Sequence, residues 1–139
     1  MNALVIDTNV FMSALIKKGL TRELLTNLKM NFLFPEYEFE ELQKYKQLIK
    51  KKSGYNEKEF YIILLRLLKY VRIIPADVII DFYKPAFEII GNIDNKDVVF
   101  IATALAFNCG IWSDDKHFKM QNEIKVYTTN DVKSLKWYK

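Results

Sequence analysis

Asp7, Glu41, Asp97 and Asp115 are the residues of this chain whose type and placement could do chemistry, since each falls at the end of an expected strand or near the start of an expected helix. Asp7 closes the apolar run Ala3-Leu4-Val5-Ile6, and Asp115 follows Cys109-Gly110-Ile111-Trp112-Ser113. In an open parallel sheet, ligands bind outside the carboxyl ends of the strands, where neighbouring crossovers leave in opposite directions. Carboxylates gathered there predict a hard-cation site, because oxygen ligands suit Mg²⁺ or Mn²⁺, held by one or two carboxylates plus a substrate phosphate. Each acid also has a purely structural reading. Asp7 before Thr8-Asn9 is a natural helix cap, and in Ile93-Asp94-Asn95-Lys96-Asp97 the first aspartate can cap while the second is a favourable first-turn anion. Taken singly the acids favour capping; their combination in one small chain favours a cation.

The elements that must position these acids are legible as alternating periods. Residues 2–6 read as a buried strand, and residues 10–16 as a helix stopped by Lys17-Lys18-Gly19. Thr21 is expected to cap a second helix carrying Leu24, Leu25 and Leu28, before the short run Phe32-Leu33-Phe34. From Pro35, the residues Phe39, Leu42, Tyr45, Leu48 and Ile49 keep helical spacing until Ser53-Gly54 breaks it. Asn56 then caps an apolar helix through Phe60, Ile63, Leu64, Leu67 and Leu68, and the two helices form a hairpin. Residues 71–74 read either as a third strand or as an extended connection. Asp77 starts a helix that Pro85 must kink or divide. Residues 94–108 form another helix, residues 109–113 and 124–128 two more strands, and Asn130 caps a last helix that ends within residues 135–138. Such alternation predicts an α/β fold with a mainly parallel sheet and right-handed crossovers.

A length of 139 residues predicts one domain, and 50% hydrophobic content with no Pro-rich or Ser/Gly-rich tract predicts a packed core rather than disorder. The lone Cys109 excludes a disulfide within the chain and fits a reducing compartment. The longest apolar run, residues 60–65, is far short of the roughly 20 residues of a membrane helix. A soluble cytoplasmic protein is expected. The net charge of +4 is compatible with a polyanionic partner. Lys116 and Lys119 flank the Asp115 segment and are candidate phosphate contacts, whereas Lys50-Lys51-Lys52 reads as a solvated helix end. Leu24, Leu25, Phe60, Ile63 and Leu64 exceed what a sheet of this size needs and suggest a self-association or partner surface. The remaining aromatics, Trp137 and Tyr138 among them, read mostly as core.

Three short segments, in this order, resemble the PIN domain family of metal-dependent ribonucleases, including its VapC-like members. Val5-Ile6-Asp7-Thr8-Asn9 looks like the family's strand-Asp-Thr-Asn start. The segment from Asp94-Asn95-Lys96-Asp97 into Ile101-Ala102-Thr103-Ala104 resembles its Asp before an Ala-rich helix, and Ser113-Asp114-Asp115-Lys116-His117-Phe118 its Thr/Ser-x-Asp-x-x-Phe. The resemblance spans nearly the whole chain. It implies a three-layer α/β/α sandwich around a central, mainly parallel sheet, and an endoribonuclease that hydrolyses RNA phosphodiester bonds with Mg²⁺ or Mn²⁺. Asp7, Glu41, Asp97 and Asp115 would be the metal-binding and catalytic acids. The family's Glu-Leu pairing selects Glu41 over Glu40, and the last motif selects Asp115 over Asp114. Thr8, Asn9, Ser113 and Asp94 would orient those carboxylates, and Lys116 and Lys119 would contact RNA. His117 lies where the family tolerates many residues, so a surface or phosphate-contact role is expected rather than that of a general base. Small members of the family are commonly toxins, which implies an antitoxin protein as partner and allows a homodimer; an RNA-processing nuclease is the alternative within the same class.

Other classes fit less well. A catalytically degenerate PIN-like module that only binds RNA or protein would keep the fold without needing all four acids. A haloacid dehalogenase-like phosphotransfer enzyme would require a second acid two residues after Asp7, where Asn9 stands. A dinucleotide-binding domain would need a glycine-rich turn after the first strand, and none of Gly19, Gly54, Gly91 and Gly110 supplies it.

Overall fold

Four consecutive residues buried on both sides make Ala3–Ile6 the centre of the molecule. In the computed structural model, which describes residues 2–135, this strand, β1, is followed by α1 (Thr8–Ile16), α2 (Leu20–Asn27) and β2 (Asn31–Pro35). Next come α3 (Glu36–Gln43), α4 (Lys46–Ser53), α5 (Glu57–Leu67) and β3 (Val71–Ile74). The chain continues through α6 (Ala76–Ile79), α7 (Tyr83–Ile90), α8 (Val98–Phe107), β4 (Gly110–Trp112), β5 (Val126–Tyr127) and α9 (Thr129–Lys133). Single 3-10 turns occupy Ile80–Phe82, Asn95–Asp97 and Lys116–Met120.

The five strands form one parallel sheet in the order β3-β2-β1-β4-β5, flanked by helices in an α/β/α arrangement. Val5 is in register with Leu33 on one side and Ile111 on the other, so β1 is hydrogen-bonded along both edges. This is why its sequence is an unbroken apolar run rather than an alternation. From β1 the chain works outward to β2 and β3, then returns through α6, α7 and α8 to lay β4 on the opposite side of β1. The reversal of strand order therefore lies between β1 and β4, and their carboxyl ends flank the crevice where this class of sheet binds ligands.

Beneath that crevice the packing is apolar. Helix α8 runs against β1, β2 and β4, with Val98, Phe100, Ile101, Ala102, Thr103 and Ala104 buried. A helix apolar on all sides belongs inside. An aromatic chain links the layers: Phe11 of α1 meets Phe34 of β2 at 5.0 Å between centroids, Phe34 meets Phe100 of α8 at 6.2 Å, and Phe100 meets Phe118 at 6.1 Å. Each such ring is worth about 1.5–3 kcal/mol of burial. Phe118, only 1% exposed, thereby fastens the Lys116–Met120 turn to α8.

The structure departs from the sequence reading in several places. Residues 35–49 do not form one helix: Lys44 N–H donates to Glu41 O and Tyr45 N–H to Leu42 O, both at 3.0 Å, which tightens the turn and redirects the chain into α4. No breaker residue stands there; α4 instead packs on α1, a tertiary choice that spacing does not encode. Gly54, with φ of 81°, ends α4 as expected, and Asn56 with Glu59 makes a reciprocal capping box on α5. Gly19, not Thr21, starts α2, and Thr128, not Asn130, caps α9. Arg22 supplies an unforeseen cap, donating from Nε to Ala14 O at 2.7 Å and from Nη2 to Leu15 O at 3.1 Å, so a cation sits at the carboxyl end of α1. Pro85 does divide its helix and lies in the first turn of α7. Residues 71–74 are the edge strand β3.

Leu24, Leu25, Phe60 and Leu64 are at most 4% exposed and belong to this chain's own core. The excess of apolar side chains that suggested a self-association surface is therefore consumed internally, with Ile63 packed partly buried against the same core. Trp137 and Tyr138 lie outside the described residues. No helix among those described is long and apolar enough to cross a membrane.

Candidate metal centre

Asp7 is both a cap and a site residue. Its Oδ1 accepts from Val10 N–H at 2.8 Å, closing the first turn of α1, while Oδ2 accepts a short hydrogen bond from Ser113 Oγ at the end of β4. The same Ser113 Oγ accepts from Asp115 N–H at 3.0 Å. One buried hydroxyl thus ties the carboxyl ends of β1 and β4 together. Asp7 is 4% exposed, and burial pushes its carboxyl up to about 6 against the pull of the Ser113 and Val10 hydrogen bonds, with Asp115 and Asp114 adding to the rise.

Asp97 ends the Asn95–Asp97 turn and leads into α8. It is 7% exposed, and its Oδ2 is buried without a hydrogen-bond partner among the described residues. Burial, then the carboxylates of Asp94, Asp115 and Asp7, raise it to about 7, with His117 opposing. A buried carboxylate surrounded by carboxylates is expensive to ionise. Asp115 caps the Lys116–Met120 turn through Oδ1, which accepts from His117 N–H at 2.9 Å. Its neighbour Asp114 points elsewhere, accepting from Thr129 N–H at 2.7 Å and Thr129 Oγ1 at 2.6 Å to anchor α9. His117 Nδ1 lies 3.2 Å from Asp94 Oδ2 and 3.8 Å from Asp115 Oδ1.

On α3 the acids divide. Glu41 binds Lys44 Nζ through both oxygens, at 2.9 and 3.0 Å. Glu40 is exposed. Glu38, half-buried, accepts from Thr8 Oγ1 at 3.2 Å, and burial raises its carboxyl, a shift opposed by that hydrogen bond and enlarged by Glu41. Lys116 and Lys119 are exposed on the turn that Asp115 caps.

A family model for the PIN domain matches residues 5–135. This chain belongs to the PIN domain family. Among solved structures, this PIN domain is similar to VapBC2 from Rickettsia felis, determined bound to a DNA fragment from the promoter, with a TM-score of 0.65 and 17% identity. That match covers 91% of this chain and 98% of the other, and at such identity it speaks for the fold. No curated protein sequence matches the chain.

Ser113 thus links Asp7 to Asp115, both of which lie close enough to Asp97 to raise its carboxyl, while Asp94, Asp97 and His117 bring ligand atoms to within 4.8 Å of one another and Glu41 is paired with Lys44. Thr8 orients Glu38 rather than one of the four expected acids, and Asn9 is exposed, its side chain without a hydrogen bond among the described residues. Glu38 and His117 are the side chains that sequence reasoning underweighted. For Glu38 a signal existed, since positions 38 and 41 share a helix face. For His117 there was none: Asp94 lies 23 residues away in the chain, and their pairing arises only when the turn docks on α8.

The donor set fits a divalent cation. The clustered carboxylates around Asp97 are hard oxygen donors of the kind that could hold one. The unpartnered Asp97 oxygen and the raised carboxyls of Asp7 and Asp97 are a local charge excess that a cation would offset.

Proposed function

We propose that this PIN domain is a divalent-metal-dependent endoribonuclease that hydrolyses RNA phosphodiester bonds, and that it is the toxin half of a toxin–antitoxin pair. The observation that carries the reading is the pair of buried carboxylates with raised pKa values, Asp7 and Asp97, beside Asp115 at the reversal point of the sheet. In this reading Asp7, Asp97, Asp115 and Glu41 hold Mg²⁺ or Mn²⁺. When bound, the ion supplies acidification of a water and neutralisation of charge at the scissile phosphate.

The chain's own residues do the rest. Ser113 locks the Asp7 carboxylate by hydrogen bonding, so its orientation is set before RNA arrives. Asp115 is fixed from both sides, its N–H by Ser113 and its Oδ1 by the His117 N–H. Exposed Lys116 and Lys119 meet backbone phosphates, which position the strand without reading its sequence. Glu41 must release Lys44 to face the cation, a small demand, because an exposed pair of this kind is weak. The fold similarity to VapBC2 supports the toxin reading, and the implied partner is an antitoxin protein.

The test is cleavage of an end-labelled RNA by purified protein with Mg²⁺, with Mn²⁺ and with excess chelator, alongside Asp7→Asn. Metal-dependent cleavage by the wild type alone is the expected result; equally fast cleavage in chelator would sink the reading. Growth arrest on induction, relieved by co-expressing the product of an adjacent short reading frame, tests the toxin role.

A further inference from the structure

The four acids of the proposed centre leave unexplained the two side chains that face Asp97. Asp94 and Asp97 each bring a carboxylate oxygen, and His117 a ring nitrogen, to within 4.8 Å of one another. Asp94 Oδ1 is occupied by Lys96 N–H at 3.0 Å, which leaves Oδ2 for His117 Nδ1, 3.2 Å away. An ion pair between these two would account for both of them. It would not account for Asp97, which is 7% exposed and has a buried oxygen with no hydrogen-bond partner among the described residues.

We propose that Asp94, Asp97 and His117 form a mixed oxygen and nitrogen pocket for a divalent transition-metal ion, so that the centre discriminates in favour of such ions over Mg²⁺. The inference rests on the metal-dependent reading above and adds to it a ligand outside the four acids. Two donors each about 2.1 Å from an ion and at about a right angle lie about 3 Å apart. The separation of His117 Nδ1 from Asp94 Oδ2 already has that size. Mg²⁺ takes oxygen ligands, whereas an imidazole nitrogen raises affinity along the first-row series from Mn²⁺ toward Co²⁺ and Ni²⁺. Little reorganisation is needed. His117 is held by its N–H bond to Asp115 and by Phe118 stacked edge-on against Phe100, and Asp94 is held by its own turn.

The test is calorimetric titration of the metal-free, full-length protein with Co²⁺ and with Mg²⁺, together with the visible absorption of bound Co²⁺. Wild type is expected to bind Co²⁺ more tightly than Mg²⁺. In His117→Gln the Co²⁺ affinity should fall by about 10–100-fold and the Co²⁺ absorption should change, while Mg²⁺ affinity moves less than about twofold. Asp94→Asn should weaken Co²⁺ binding in the same direction. His117 is partly exposed, so the variant is expected to fold, and circular dichroism checks this. Unchanged Co²⁺ affinity and absorption in His117→Gln, or equal losses for both ions, would overturn the pocket and leave the nuclease reading standing. A wild-type protein that binds neither ion would overturn both.

Discussion

Two clusters of charge, one between α4 and α5 and one at the carboxyl ends of β1 and β4, use the same residue chemistry to opposite effect. Glu57 on α5 accepts from Lys46 and Lys50 of α4, and those bonds hold its carboxyl below the usual range. Lys46 in turn donates to Tyr61 Oη and lies 4.6 Å from that ring. The Glu57 carboxylate there is met by two cations, and its side chain is more than half exposed. Asp97 has the reverse environment: apolar helix below, carboxylates around, one oxygen unpartnered. The first cluster holds two helices together at little cost, so it reads as structure. The second is costly to ionise without a cation or a proton, so it reads as a candidate site.

The largest expected effect breaks the comparison at its centre. Asp7→Asn, Asp97→Asn and Asp115→Asn should each lower metal-dependent RNA cleavage by roughly a hundredfold or more, given that even outer partners of a metal site cost 10–100-fold. Asp97→Asn should also raise the melting temperature of the chelator-treated protein near neutral pH, because it removes a buried charge without a counter-charge. Glu57→Gln should do the opposite on both counts, leaving cleavage intact and lowering the melting temperature slightly. A melting temperature that falls for Asp97→Asn in chelator would show that the acid cluster is stabilising by itself.

Ser113→Ala comes next. It removes the hydroxyl that orients Asp7 and receives the Asp115 N–H, so metal affinity by calorimetry should fall by about 10–100-fold with the sheet intact. Affinity within twofold of wild type would mean that backbone placement alone orients Asp7.

The two clusters should also separate by pH. Asp7 and Asp97 are raised to about 6 and about 7, whereas in the unfolded chain both titrate near about 4. The folded, metal-free state then binds more protons than the unfolded state across this window, and stability falls as pH rises wherever that holds. Their favourable contribution is complete below about pH 4 and is lost as pH climbs through the two raised values. In chelator the melting temperature should therefore drop between about pH 4 and pH 7 and level off above, and Mn²⁺ should restore most of it at the upper end. Flat melting curves with and without Mn²⁺ would remove the linkage.

How much of this was legible follows from the same physics. Asp7 and Asp115 stand at the ends of apolar strands, and strand ends can be read from a run of four or five residues. The parallel sheet was legible because β1 and α8 are apolar without alternation. The turn at Lys44 and Tyr45 was not, because no residue there forbids a helix and only the packing of α4 on α1 imposes it. His117 was passed over for a similar reason: its partner, Asp94, is set by the docking of Phe118 on Phe100, a contact without local signature.

The smallest and most discriminating differences lie on α3, where the sequence offered Glu40 or Glu41 and the fold adds Glu38. Successive helix positions turn by about 100°, so Glu38 and Glu41 share a face and Glu40 does not. The exposure of Glu40 agrees with this, while Leu42, 1% exposed, roots the helix in the core. Glu38 is engaged by Thr8, next to Asp7, and Glu41 only by the exposed Lys44. A carboxylate held by a weak surface pair is free to swing to a cation, whereas one already satisfied inside gains less by moving. Glu41→Gln should therefore lower metal-dependent turnover about tenfold, Glu38→Gln a few-fold by loosening Thr8, and Glu40→Gln not measurably. Lys44→Met, which frees Glu41, should leave turnover the same or raise it. A ranking with Glu38→Gln most severe and Glu41→Gln silent would place the fourth acid one helical turn earlier, beside Thr8, and would make the Glu41 to Lys44 pair an ordinary surface contact of the kind seen at Glu57.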